Sequence, residues 1–181
     1  MQKTLTIAAL ACALSAVNRL GAQTTGDVRT EYNPARNETF VRMEKVPLDG
    51  ENKVGAFYSF PGRTQQAPVA DLTVHFVRSG ADWAYQYGYD VVVLLDDKTQ
   101  LPLTRAQRRT SVGHGFVLEQ IFIAVTRQEA LQIAQAHKVG IKVGAKGFGW
   151  SDSLQRSFRQ LALLAAGDSA MGAAVPQNSG R

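Results

Sequence analysis

Apolar and polar residues alternate with a period of two over most of the chain, and the period lengthens to 3.6 after residue 126. Successive side chains of a strand point to opposite faces, so the first pattern predicts half-buried strands and the second predicts helices. Phe40 to Val46 and Val54 to Phe60 read as two short strands, separated by the turn residues Pro47, Asp49-Gly50 and Asn52, with Pro61-Gly62 ending the second. In Val69 to Val77, Leu72, Val74 and Phe76 share one face. Thr73 and His75 take the other, which places His75 in solvent before a turn at Ser79-Gly80.

The longest alternation runs from Trp83 to Leu95 and predicts one extended strand with Trp83, Tyr85, Tyr87, Tyr89, Val91, Val93 and Leu95 on one face. Asp96-Asp97-Lys98 marks the turn that ends it. Leu101 to Arg109 reads as a polar connection. Phe116 to Val125 is then a strand apolar on both sides, which belongs in the middle of a sheet with cover above and below. Glu119 interrupts its Val117, Ile121, Ile123, Val125 face and is expected near an exposed end.

Thr126-Arg127-Gln128-Glu129 fits a capping box that opens a helix of about three turns, with Ala130, Ile133, Ala134 and His137 along one stripe. Val139, Ile141 and Val143 form a short strand, with Lys138 and Lys142 pointing away. Gly144 to Gly149 is a loop. Ser151 caps a last helix whose buried stripe is Leu154, Phe158, Leu161, Ala162 and Ala165.

Strands followed by helix, strand and helix predict an α+β fold. Its sheet is an antiparallel twisted sheet or a two-layer β-sandwich, with two C-terminal helices packed on one face or end. There is no internal repeat. Residues 38–166 form a single globular domain, large enough to bury roughly two-thirds of its unfolded surface without metals or disulfides. Residues 23–37 are polar and aperiodic, a flexible leader, and residues 167–181 are small and polar, a disordered tail.

The start of the chain changes this picture. Lys3 supplies a positive charge, Leu5 to Val17 is an apolar run too short to span a bilayer, and Gly21-Ala22 supply small residues for cleavage. Residues 1–22 therefore read as a signal peptide, which places the mature chain in the periplasm or outside the cell. The one cysteine, Cys12, lies inside that run behind a weak lipobox, so lipidation is disfavoured and the mature chain has no thiol. Removing residues 1–22 takes away Lys3 and Arg19 and no acid, lowering the net charge from +5 to +3. That excess is too small and too scattered to argue for nucleic acid.

Asp90 to Leu103, the strand Phe116 to Val125, and the stretch from Thr126 to Ala162 together resemble uncharacterised secreted or periplasmic bacterial α+β domains. The shared order is strand, acidic turn, strand, capped helix, short strand, aromatic, final helix. The resemblance implies this fold and bacterial export. It carries over no catalytic residue.

Candidate chemistry is sparse. The three histidines, His75, His114 and His137, show no HxH, HxxxH or HExxH spacing, so no metal site is expected. His137 suits the end of a helix. Gly113-His114-Gly115 is more open to function, because flanking glycines admit a ligand close to the backbone, though a turn or bulge entering the strand is the favoured reading. There is no GxSxG elbow, no phosphate-cradling loop, and Asp96-Asp97 are adjacent, which suits a turn and not a paired acid and base. No cofactor is expected.

Two surface features remain. Arg105, Arg108 and Arg109 form a basic cluster for an anionic partner, or a solvated loop. Tyr85 and Tyr87, in the aromatic run, pack into the sheet or offer a stacking face. With His114, these are the candidate partner-binding residues. The reading is an exported non-catalytic module that binds a protein, lipid or glycan of the envelope. The alternatives are an envelope hydrolase with His114 as base, and a structural domain that self-associates through a strand edge.

Overall fold

The computed structural model describes residues 28–167. The predicted signal peptide, the first residues of the predicted leader and nearly all of the predicted tail lie outside this range.

Among the described residues, ten strands and two helices follow in the order β1 (Val28–Asn33), β2 (Glu38–Pro47), β3 (Asn52–Pro61), β4 (Asp71–Gly80), β5 (Val91–Leu95), β6 (Thr99–Leu103), β7 (Ala106–Gly113), β8 (Phe116–Thr126), α1 (Arg127–Gln135), β9 (Val139–Val143), β10 (Lys146–Gly149) and α2 (Asp152–Ala165). A six-stranded sheet has the order β1-β2-β3-β4-β8-β7, and a four-stranded sheet has the order β10-β9-β5-β6. Every pairing is antiparallel. The fold is α+β, with open sheets and both helices near the C-terminus.

One face of the large sheet carries the core. Val41 and Met43 of β2, Val54, Ala56 and Tyr58 of β3, Leu72, Val74 and Phe76 of β4, and Ile121, Ile123 and Val125 of β8 are all buried. The alternation of period two is thus realised on four neighbouring strands in register. The helices and the second sheet cover this face. Ala130, Ile133 and Ala134 of α1, the Leu154, Phe158, Leu161, Ala162 and Ala165 stripe of α2, and Val91, Val93, Val139, Ile141 and Val143 of the small sheet join the same cluster. α1 and α2 pack on each other, with α2 against β1, β2 and β3 and α1 against β4 and β8.

Both helix starts follow the sequence. Thr126 Oγ1 accepts from the Glu129 backbone N–H at 3.2 Å, and the Glu129 carboxylate accepts from the Thr126 N–H at 2.7 Å, completing the capping box. The Ser151 side chain accepts from Leu154 N–H at 3.3 Å. The Asp96-Asp97 turn also forms, with both residues at positive φ. Asp96 holds the start of β9 by accepting from the His137 and Lys138 N–H groups, both at 2.8 Å.

Six local expectations are corrected. The leader is not wholly flexible: Val28–Asn33 pairs with β2 as an edge strand, its few apolar residues being enough because a ladder satisfies its backbone. The aromatic run is not a strand. Residues 81–90 form irregular chain, and only Val91–Leu95 is extended, as β5. The polar connection at Leu101–Arg109 is the end of β6 and the start of β7, and the loop at Gly144–Gly149 includes β10. These edge strands are polar because one side of each lacks cover. Glu119 is fully buried instead of near an exposed end, and His75 is only 8% exposed instead of solvated.

Candidate functional site

Of the residues singled out in the sequence, Arg108 and Tyr85 meet, and the others are dispersed. Tyr85 is 1% exposed and part of the core, whereas Tyr87 is 95% exposed at the crest of residues 81–90. His114 is exposed at the β7–β8 hairpin, where Gly113 pairs with Phe116 and Gly115 takes φ +80°. That positive φ suits the second central residue of a type II turn, so the two glycines serve the hairpin. The three arginines separate as well. Arg105 pairs with Asp71 at 3.5 Å and with Glu129 at 3.2 Å, against the capping box. Arg108 and Arg109 are neighbours on β7 and therefore face opposite sides of the sheet. Arg108 donates to the Tyr85 carbonyl and lies 5.6 Å from the Trp83 ring centroid and 5.9 Å from that of Tyr89. Arg109 lies on the other face, 5.2 Å from the Phe122 ring centroid.

A buried ionic network fixes residues 81–90 against the core face. Arg78 of β4 and Glu119 of β8 are opposite in register and 3.2 Å apart. Glu119 also accepts from the Ala84 N–H at 2.9 Å and the Tyr85 N–H at 3.0 Å. Arg78 reaches outward to Glu51 at 2.9 Å and Asp82 at 2.6 Å. Tyr85 completes the arrangement by donating its hydroxyl to Asn52 Oδ1 at 3.1 Å, and burial holds that hydroxyl well above the usual tyrosine range. For Arg78, burial disfavours the charge, but hydrogen bonds to Asp82, Glu51 and Glu119 outweigh it and raise the pKa. Every partner here is spoken for, so the network is an anchor.

The other face of the large sheet has a different character. Its residues come from the positions between the core residues: Phe40 and Arg42 on β2, Gly55 and Phe57 on β3, Thr73, His75 and Val77 on β4, and Gln120, Phe122 and Ala124 on β8. His75 Nε2 lies 3.0 Å from Gln120 Oε1, and its ring stacks on Phe122 with centroids 4.3 Å apart. Burial, aided by the charge of Lys45, lowers the His75 pKa against the opposing hydrogen bond with Gln120. The ring is thus largely uncharged at neutral pH.

Gly55 lies directly across from His75, and its missing side chain lets the Lys45 stem pack over it. A Cβ built there would sit 3.1 Å from Lys45 Cγ, because the bulge between Met43 and Val46 brings the Lys45 stem over Gly55. Beside Gly55 is a groove of about 980 Å³, lined among others by Phe40, Phe57, His75, Arg36, Lys45 and Lys53. All its lining residues come from β1 to β4 and the turn between β1 and β2, with none from the helices or the second sheet.

The charges of the groove are unevenly matched. Its acids are paired, Glu31 with Arg42 and Glu44 with Arg29, each at 3.3 Å. Lys45, Lys53 and Arg36 have no ion-pair partner among the described residues, and neither has Arg109 farther along the same face. Among the described residues there is also no group of three or more His, Cys, Asp or Glu placed to hold a metal ion, and no helix long and apolar enough to cross a membrane.

Sequence reasoning missed both the network and the groove. The network left a trace: Arg78 and Glu119 each fall in phase with an apolar face, and opposite charges in phase on two strands mark a buried pair. The groove left almost none, since its residues are dispersed over four strands and depend on register. Comparison with protein-family models, with curated proteins and with solved structures finds no match to this chain.

Proposed function

We propose that this chain is an exported, non-catalytic binding module, and that the open face of the six-stranded sheet is its ligand surface. The observation that supports this reading is the groove at Gly55, with a Phe40, Phe57 and His75 floor under cations that lack carboxylate partners. Aromatic area is enriched at interfaces, where it supplies desolvation, and surrounding charge selects the partner. The partner class is an envelope protein, lipid or glycan. Export rests on Lys3, the Leu5–Val17 run and Gly21-Ala22.

Native mass spectrometry of the chain, purified gently from its own envelope fraction, tests the reading. The expected result is a bound species at defined stoichiometry that is missing from the Phe57→Glu variant. Equal retention by the variant and the parent would place the ligand elsewhere and reject the open face. N-terminal sequencing of the same sample is expected to begin at Gln23, and a chain that keeps Met1 would reject export by cleavage.

A further inference from the structure

We infer that the occupant of the open face is an acidic amphipathic helix of a partner protein. The inference rests on the reading of that face as the ligand surface and adds the chemistry of what binds there.

The backbone decides the form of the occupant. On a sheet face, as opposed to an edge, the N–H and C=O groups are already used in the ladders between neighbours. A lone strand laid on that face would leave its own backbone groups unpaired, at a cost comparable to lost hydrogen bonds. A helix brings its backbone bonds with it and needs only an apolar stripe, as α1 and α2 do on the opposite face. A small molecule fits less well, because such sites enclose most of the ligand, and among the described residues none from a helix or the second sheet lines the groove.

The charge pattern decides its sign. Gly55, His75 and Phe122 lie in one row across β3, β4 and β8, with the Lys45 stem over Gly55 and the His75 ring stacked on Phe122. The next row runs Lys53, Val77, Gln120, Arg109 across β3, β4, β8 and β7, with a cation at each end. Lys45 lies on the other side of Lys53, over Gly55. Lys45, Lys53 and Arg109 have no ion-pair partner among the described residues, so a ligand with flanking carboxylates gains charge pairs that the isolated chain does not make. The same cations count against a second copy as occupant, since face-to-face pairing would bring like charges together.

The test uses the full mature chain and a synthetic helix-forming peptide with Leu at i, i+3, i+4 and i+7 and Glu on both flanks of that stripe. Its controls are a scrambled peptide, a version with Lys in place of Glu, and vesicles of anionic phospholipid. Saturable binding of the Glu peptide alone is expected, weakened about tenfold or more by Lys45→Glu with Lys53→Glu, and weakened by added salt. These substitutions are on exposed side chains, and circular dichroism verifies that the variants are folded. Binding of the Lys peptide, or of vesicles in preference to the Glu peptide, would overturn the acidic helix while leaving the open face as ligand surface. Glu-peptide binding unaffected by both the charge reversals and Phe57→Glu would overturn the helix assignment and the open face together.

Discussion

Arg78 and Glu119 face each other across the β4–β8 pair at 3.2 Å, the arginine 3% exposed and the glutamate fully buried. They sit on the core face, in phase with Leu72, Val74 and Phe76 on one strand and Ile121, Ile123 and Val125 on the other. Such a pair is tolerable because residues 82–85 complete it, two N–H groups on Glu119 and the Asp82 carboxylate on Arg78. An irregular ten-residue segment is thereby fastened to a sheet without forming a strand.

Removing one partner should therefore be costly. Glu119→Ala leaves a buried guanidinium short of a counter-charge and two N–H groups unpaired. The expected loss in urea unfolding is about 3–5 kcal/mol, with new proteolytic cleavage inside residues 81–90. A loss under 1 kcal/mol would show that the network is not what holds the segment.

The two central tyrosines should behave oppositely. Tyr85→Ala removes a buried ring that packs edge-on against Phe76, centroids 5.5 Å apart, and should cost about 3 kcal/mol or more. Tyr87→Ala should change stability by no more than about 0.5 kcal/mol. Equal effects would restore the single-faced strand that the alternation suggested.

Gly144 has a similarly sharp expectation. It takes φ +55°, its N–H bonds the Asp90 carbonyl at 2.9 Å, and a Cβ there would lie 2.6 Å from the Gly88 carbonyl oxygen. Gly144→Ala should lower stability by about 1–3 kcal/mol, read from the urea midpoint. Gly147→Ala, which meets nothing within 4 Å, is the control.

Stability should also depend on His75 near neutral pH. Burial lowers its folded pKa below the ordinary 6.5, so the unfolded chain takes up the proton first as pH falls. The contribution of neutral His75 is complete above pH 6.5 and declines as pH drops from there to the folded value. His75→Phe should flatten that part of the stability–pH curve. An unchanged slope between pH 7.5 and 5 would assign it to other groups.

Much of the fold was legible because local pattern and tertiary structure agree in its central strands and helices. Thr126 to Glu129 states a capping box in four residues, and the stripe from Leu154 to Ala165 needs only one covered face. Residues 83–89 misled because aromatic and small residues alternate there with no neighbouring strand to pair with. The N–H groups of Ala84 and Tyr85 are taken by Glu119, far away in sequence, and no local signal carries that. The edge strands β6, β7 and β10 were missed for the converse reason: pairing defines them, and apolar content does not. The candidate site was the least legible part. Its arrangement exists only because register sets Gly55 against His75 and a bulge turns the Lys45 stem over Gly55.

The most direct test of the open face is site-specific photo-crosslinking in the native cell. A photoreactive phenylalanine analogue is placed at Phe57, in the groove, or at Gln132, on the exposed side of α1 across the molecule. The expected result is one discrete adduct from position 57 and none from position 132. Adducts from position 132 alone, or from neither position, would contradict the assignment of the open face as the binding surface.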